Sequence, residues 1–251
     1  MNQQIETAEN KFFEKLATSL KAKGVTAFYQ DGIVDEDAYE ESKIKILFLL
    51  KEPVGKPNQP FQLSRVFLRN GAKHKGDQTW RNVTRWIYAI HNNVPHDDWK
   101  RYLKEVDPKG NSKQERLKWL KYIIAINLKK QAGASRSDTK KLQQEFHDKY
   151  EAFLPKQLNL YPNVDLIVCC GDGVWDCLKP NYEKAYGVPM TTTGTFPSKT
   201  HPKKYKHFIS KDTPCVINFW HPSAIQNSWY KCSRFIALVN EVMQRRECVS
   251  Q

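Results

Sequence analysis

The stretch that decides the fold is KILFLLKEPVG, residues 45–55, together with INFWHPSA, residues 217–224. Each stretch begins as a continuous apolar run and ends abruptly in ionisable residues and proline. Strands that are buried on both faces of a parallel sheet read as continuous apolar runs. Open α/β sheets bind their ligands at the carboxyl ends of the strands. The two stretches therefore predict buried parallel strands whose ends carry a functional site.

The rest of the chain alternates strand and helix patterns around these two runs. Apolar, β-branched runs predict strands at 45–50, 122–126, 165–170 and 215–219. Apolar residues at helical spacing, with a cap at Ser137 or Asp138, predict helices at 10–23, 80–91, from 137 or 138 towards 154, from 174 onward and at 229–245. This alternation predicts a three-layer α/β/α sandwich with a mostly parallel central sheet.

Length and composition limit the class of protein. A chain of 251 residues suits one domain, with residues 1–40 as an N-terminal helical extension and 45–245 as the core. No apolar run is long enough to span a bilayer and the N-terminus lacks a secretory pattern, so we expect a soluble, cytoplasmic protein without membrane contact. Lys and Arg exceed Asp and Glu by 40 to 27, a formal charge of +13. That excess favours a polyanionic partner such as nucleic acid, although a merely basic soluble protein would look the same.

The cysteine pattern argues against a metal centre. Six cysteines are present and none forms a C-x-x-C pair, so the sequence suggests no zinc ribbon, redox motif or cofactor. Cys169 and Cys170 lie inside an apolar run, where a free thiol behaves as a small hydrophobic side chain. We therefore expect them in the core.

Polar side chains follow three of the predicted strands. Lys51 and Glu52 follow the first, Asn127 ends the second and His221 follows the last. Because the ends of parallel strands share one edge, a carboxylate, an amide and an imidazole are expected to converge on one pocket. Each residue taken singly has an ordinary structural explanation, such as a turn or a satisfied histidine. The joint pattern therefore carries the functional interpretation.

The three strand ends resemble the motifs of the uracil-DNA glycosylase superfamily. LKEPVG at 50–55, AIN at 125–127 and HPSA at 221–224 stand in that family's order, and the resemblance covers about 45–245. It implies a uracil-DNA glycosylase-like fold and an enzyme that flips a uracil-like or modified base out of DNA. Such an enzyme hydrolyses the N-glycosidic bond and leaves an abasic site for DNA repair.

Two features of the chain depart from the family. Leu50 replaces the first glycine of the first motif, while Pro53 matches its proline. Glu52 occupies the position that is Asp, Ala or Asn across the branches and is one methylene longer than the Asp of the uracil-specific branch. The four-cysteine pattern of the iron–sulfur branch is also missing, so no cluster is expected.

The resemblance also implies roles for individual residues. Glu52 is the candidate catalytic carboxylate that orients water, and His221 is the candidate catalytic donor to the oxygen of the leaving base. Asn127 would pair with the edge of the base and Phe61 would stack on its face, with Phe67 as the substitute aromatic. Ile225 would fill the gap left by the flipped base, and Trp229 is the aromatic alternative.

DNA, single- or double-stranded, is the expected partner, and the protein is expected to act as a monomer. Basic side chains and one hydroxyl near the motifs are the candidate phosphate contacts. These residues are Lys51, Lys129, Lys130, Arg136, Lys203, Lys204, Lys206 and Ser223. A solvated basic face would explain the same lysines without DNA.

Three other functions stay open on sequence grounds. The target could be a hypermodified base, as in antiviral defence against phage DNA. The protein could also be a catalytically silent nucleic-acid-binding protein of the same fold. The two glycines of CGDGVW, residues 170–175, could instead form an anion site at a helix start in a hydrolase of phosphorylated small molecules, although Asp172 between them opposes an anion.

Overall fold

The structure is a computed structural model that describes residues 4–54, 61–72, 78–133, 138–196, 205–224 and 228–249. Within these ranges the strands are β1 (Tyr29–Gln30), β2 (Gly32–Ile33), β3 (Ile46–Leu50), β4 (Phe61–Gln62), β5 (Ile123–Asn127), β6 (Leu166–Cys170), β7 (Gly194–Phe196), β8 (Tyr205–Phe208) and β9 (Cys215–Phe219). The α-helices there are α1 (Gln4–Ala22), α2 (Glu36–Glu40), α3 (Gln78–His91), α4 (Trp99–Arg101), α5 (Asp107–Asn111), α6 (Lys113–Leu120), α7 (Thr139–Lys149), α8 (Leu154–Leu158), α9 (Val174–Tyr186) and α10 (Ser228–Val249). Shorter π-helical or 3₁₀ segments are Leu63–Leu68, Tyr102–Val106 and Glu151–Phe153.

Among the residues that the structure describes, the central sheet has seven strands in the order β2-β5-β3-β6-β9-β8-β7. Its four inner strands, β5, β3, β6 and β9, are parallel, and the outer strands are antiparallel to their neighbours. A separate pair joins β1 to β4. The prediction of a mixed α/β protein with a mostly parallel central sheet flanked by helices is confirmed.

Both faces of the sheet are covered by helices because both faces of its strands are apolar. Ile46, Phe48 and Leu50 of β3 pack on one face with α3, α6 and α10. Leu47 and Leu49 pack on the opposite face with α1, α7, α8 and α9. Successive side chains of a strand point to opposite faces, so this alternation buries every residue of β3. The arrangement is compatible with a three-layer sandwich.

The order of the parallel strands creates a switch point beside β3. The chain runs from β3 to β5 on one side and then crosses to β6 on the other side of β3. In open α/β sheets, ligands bind in the crevice at the carboxyl ends of the strands where such a reversal occurs. This rule therefore predicts a ligand site between the ends of β3 and β6.

The helix that we predicted from 137 or 138 towards 154 is divided in the structure. Asp138 caps α7, because its carboxylate accepts the backbone N–H groups of Lys140 and Lys141. The helix ends at Lys149, and α8 starts afresh at Leu154. Pro155 sits in the first turn of α8, where its missing N–H costs nothing, whereas inside a continuous helix it would break a hydrogen bond. Ser137 lies outside the described residues.

The N-terminal segment contributes a strand to the central sheet as well as a helix. α1 packs over one face of the sheet, and β2 pairs antiparallel with β5 at the sheet edge. The strand is only two residues long, so no alternating pattern could predict it from sequence. Among the described residues, no helix is long and apolar enough to cross a membrane.

Candidate active site

The polar residues after the predicted strands lie on one edge of the sheet. Leu50 pairs in register with Asn127, and pairing continues because the Lys129 N–H donates to the Lys51 carbonyl over 3.0 Å. On the other side, the Gly171 N–H donates to the Phe219 carbonyl over 2.8 Å. The carboxyl ends of β5, β3, β6 and β9 therefore lie side by side at one edge of the sheet.

Gly171 is the close contact between the end of β3 and the end of β9. Its φ of +100° is a backbone conformation that favours glycine. A Cβ added there would lie 3.2 Å from Lys51 Cε and 3.3 Å from His221 Cβ. Lys51 Nζ also donates to Thr139 Oγ1 over 3.2 Å. Lys51 and His221 are therefore neighbours across Gly171.

His221 is held as a neutral hydrogen-bond donor. The Ser223 backbone N–H donates to His221 Nδ1 over 3.3 Å, and Ser223 Oγ lies 2.7 Å from the same nitrogen. A backbone N–H can only donate, so Nδ1 accepts and the proton of the neutral ring is on Nε2. Burial lowers the pKa of His221 to about 4, and the positive charges of Lys51 and Lys231 act in the same direction. At neutral pH the ring therefore presents Nε2–H without carrying a charge.

A set of buried polar residues braces the His221 loop. Asn82 of α3 donates to the Pro222 carbonyl over 2.6 Å and accepts from Arg85 over 3.0 Å. Arg85 in turn pairs with Asp107 at 3.0 Å. From α10, the Lys231 ammonium donates to the Ala224 carbonyl. Sequence reasoning missed these residues, because Asn82 and Arg85 lie off the apolar stripe of the predicted helix, where polar side chains are typical of a solvent-facing surface.

Asn127 belongs to a buried polar network. The Asp31 carboxylate accepts the Asn127 backbone N–H over 2.6 Å and the side-chain Nδ2–H over 3.2 Å. Lys130 Nζ donates to Asp31, to the Asn127 carbonyl and to Gln157 over 2.7 to 3.0 Å. A carboxylate only accepts, so the amide nitrogen of Asn127 must face Asp31. The orientation of the amide is thereby fixed.

The same network corrects the role that we predicted for Lys130. Its side chain is buried and its ammonium donors are already used by Asp31, Asn127 and Gln157. A phosphate contact would require this buried ion pair to be broken. Lys130 is therefore a structural residue behind Asn127 and not a phosphate contact.

Glu52 turns away from Lys51 towards the loop after β5. Its carboxylate lies 3.2 Å from Lys129 Nζ, and Lys129 also pairs with Glu145 at 2.7 Å. A Cβ at Gly133 would overlap the Glu52 carboxyl group, so the absence of a side chain there gives the carboxylate its place. Burial lowers the pKa of Lys129, but its bonds to Glu145 and Glu52 outweigh burial and raise it. The Lys129 ammonium is therefore paired with two carboxylates, Glu145 and Glu52, which disfavours the predicted phosphate contact.

The aromatic candidates lie in different places. Phe61 is half-buried on β4, with its ring 5.5 Å from that of Tyr29, and Tyr29 N–H donates to the Lys130 carbonyl over 2.8 Å. This chain of contacts puts Phe61 on the Asn127 side of the site. Trp229 is half-buried against Tyr102, with 5.1 Å between the ring centres. The side chain of Phe67 lies outside what the structure describes.

Several predicted DNA contacts fall outside the described residues, namely Arg136, Lys203, Lys204 and Ile225. Lys206, which continues the same basic run, is exposed on β8. Ser223 is exposed, but its hydroxyl is already engaged with His221. Where the structure describes the chain, no group of three or more His, Cys, Asp or Glu side chains is placed to hold a metal ion.

Comparison with known proteins identifies no family. No protein-family model matches the chain, and no curated protein matches it. The residues at the sheet edge are therefore the features from which a function can be inferred.

Proposed function

We propose that this protein is a DNA glycosylase of the uracil-DNA glycosylase type, which hydrolyses the N-glycosidic bond of a uracil-like or modified base. One observation carries the proposal: β3, β5 and β9 bring Glu52, Asn127 and a neutral His221 to the same sheet edge. The shared sheet edge of the three motifs that resemble the superfamily supports this proposal. The strongly basic composition supports DNA as the polyanionic partner.

His221 is proposed to stabilise the departing base. Cleavage of the bond between C1′ and the base nitrogen leaves the electron pair on the base and positive charge on the sugar, as in glycoside hydrolysis. A neutral Nε2–H can donate to a carbonyl oxygen of the base as negative charge develops there. Since Nδ1 is occupied by Ser223, the donating nitrogen faces away from the loop.

Asn127 is proposed to read the edge of the flipped base. One hydrogen of its Nδ2 is directed to Asp31, which leaves the other Nδ2 hydrogen and Oδ1 as one donor beside one acceptor. That pair is complementary to an adjacent C=O and N–H on a pyrimidine edge. By fixing the amide of Asn127, Asp31 would make the site selective for bases with an amide-like edge.

Glu52 is proposed to orient the attacking water. The water oxygen bonds to C1′ as the base leaves, and the proton that the water loses passes to the carboxylate or to solvent. The Lys129 ammonium and the glycine at 133 hold the carboxylate in one place.

The ion pair between Glu52 and Lys129 also favours a second candidate, a catalytically silent nucleic-acid-binding protein. A carboxylate that is already paired with a lysine has less freedom to bind water.

The test is base release by wild type and by three variants, Glu52→Gln, His221→Ala and Gly133→Ala. Each is incubated with single- and double-stranded oligonucleotides that contain uracil, oxidised, alkylated or hypermodified pyrimidines, and abasic sites are then cleaved with alkali. Wild type should release at least one base, and Glu52→Gln and His221→Ala should be slower by about 100-fold. Gly133→Ala leaves Glu52 in the chain but displaces its carboxylate, so it should also be slow.

Each result decides between the candidates. DNA binding and thermal unfolding of the variants serve as controls for folding. Release of a hypermodified base alone would favour the antiviral alternative. If wild type binds DNA but releases no base, the silent binding protein replaces the enzyme, and if both Glu52→Gln and His221→Ala keep full activity, the assigned catalytic residues are wrong.

A further inference from the structure

We infer that Lys51 is a second catalytic donor, whose ammonium group stabilises the negative charge on the departing base beside His221. This inference rests on the proposed function and deepens it. The sequence alone suggested only a phosphate contact for Lys51. The structure places the residue differently, between the ends of β3, β6 and β9.

The position of Lys51 is the first argument. The residue directly follows β3 at the switch point of the sheet, where open α/β folds bind their ligands. Its stem packs beside Gly171, on whose other side lies His221. A lysine that contacts only DNA phosphates is expected to be exposed, whereas Lys51 is half-buried and its stem lies beside Gly171.

The hydrogen-bonding state of Lys51 is the second argument. An ammonium group has three donors. In the part of the chain that the structure describes, Thr139 Oγ1 is the hydrogen-bond partner of Lys51 Nζ. Thr139 is in the first turn of α7, and within the described residues this bond leaves donors of the ammonium for a ligand. Lys130, by contrast, has all its donors satisfied by protein.

The electrostatic link to His221 is the third argument. Burial lowers the pKa of the His221 imidazole, and the charge of Lys51 lowers it further, so the two groups share one local field. A positive charge that disfavours imidazolium favours an anion at the same place. An anionic leaving base would therefore meet a neutral donor from His221 and a cationic donor from Lys51.

This arrangement predicts how the rate depends on the base. The bond between C1′ and the base nitrogen breaks with both electrons on the base, and no proton is transferred to the base in that step. A base that holds the negative charge poorly gains most from Lys51. The substrate class is therefore pyrimidines that leave as anions, including bases that are poor leaving groups.

The experiment compares wild type, Lys51→Met and Lys51→Arg in single-turnover release from DNA that contains uracil, 5-fluorouracil or thymine. Methionine keeps an unbranched stem beside Gly171 but removes the charge. We expect Lys51→Met to slow release of uracil by about 100-fold, as for the loss of one donor to a developing oxyanion. The loss should be smaller for the more acidic 5-fluorouracil and larger for thymine. Lys51→Arg should restore part of the rate.

Lys140→Met is the matched control, because Lys140 is exposed and lies next to Thr139 in α7. It should not change the dependence of the rate on base acidity. If Lys51→Met slows all three bases equally, or weakens only DNA binding, Lys51 is a structural residue or a phosphate contact and the inference is wrong. If wild type releases none of these bases and none of the wider pyrimidine panel, the proposed function fails, which is a different result.

Discussion

At the scale of single residues, His221 shows how a local environment selects one form of a side chain. The backbone N–H of Ser223 fixes the tautomer, and burial with two nearby lysines keeps the ring neutral. An unperturbed histidine titrates near pH 6.5, within reach of physiological conditions. The loop thus keeps His221 a neutral donor at physiological pH.

We predict that His221 titrates at about pH 4 in the folded protein. Because its pKa is lowered on folding, its contribution to stability is complete above the unfolded value near 6.5 and is lost as the pH falls towards 4. Imidazole nitrogen NMR shifts recorded between pH 3 and 8 check this and should show the proton on Nε2. Lys51→Met should move the midpoint upward, and a wild-type midpoint near 6.5 would contradict the prediction.

At the scale of elements, one buried ion pair joins three parts of the fold. Asp31 lies between β1 and β2, Lys130 follows β5 and Gln157 is in α8. The carboxylate also holds the end of β5 through Asn127. Removal of one partner from such a pair leaves an uncompensated buried charge, which is far more costly than the net value of the pair.

We predict that Asp31→Asn lowers the free energy of unfolding by about 3–5 kcal/mol, measured by urea denaturation. The double variant Asp31→Asn with Lys130→Met should recover much of that loss, because no buried charge remains. The surface pair of exposed Arg245 and half-buried Glu241 is the control, since Arg245→Met should cost about 0.5 kcal/mol or less. An equally small cost for Asp31→Asn would show that the buried network does not support the fold.

At the scale of the whole molecule, the charge of +13 is available to a polyanion only where it is exposed. Lys129 and Lys130 are both committed to internal carboxylates. The exposed Lys206 belongs to a basic run, with Lys203 and Lys204, that leads into β8. Non-specific binding should therefore depend on this run more than on the lysines after β5.

We predict that binding to DNA weakens steeply with added salt, because neutralised phosphates release counterions. Replacement of Lys203, Lys204 and Lys206 by Ala should reduce affinity similarly for all sequences and make the salt dependence shallower. Fluorescence anisotropy at several salt concentrations measures both. Replacement of the exposed Lys11, Lys15 and Lys21 of α1 removes the same charge from another element and should have a smaller effect. Affinity that does not respond to salt would exclude the nucleic-acid partner.

The sequence by itself determined the four inner strands and the existence of α1, α3, α9 and α10, although α1 begins at Gln4, six residues before its predicted start. Continuous apolar runs and helical spacing are local signals, and they located β3, β5, β6, β9 and the starts of α7 and α9 within two residues. They also determined that polar residues would meet at one edge, because parallel strands end together. The two-residue strand β2 is too short to show an apolar run or an alternating pattern. The break between α7 and α8 was also not predicted from the helical spacing.

Only the tertiary structure decided what each polar residue does at that edge. Lys51 and Glu52 are adjacent in sequence, yet one neighbours His221 and the other pairs with Lys129. Lys129 and Lys130 are also adjacent, and both are tied to carboxylates that are distant in sequence. The physical reason is that burial, hydrogen-bond partners and pKa depend on contacts between residues far apart in the chain, such as Asp31 with Lys130, which no local pattern encodes.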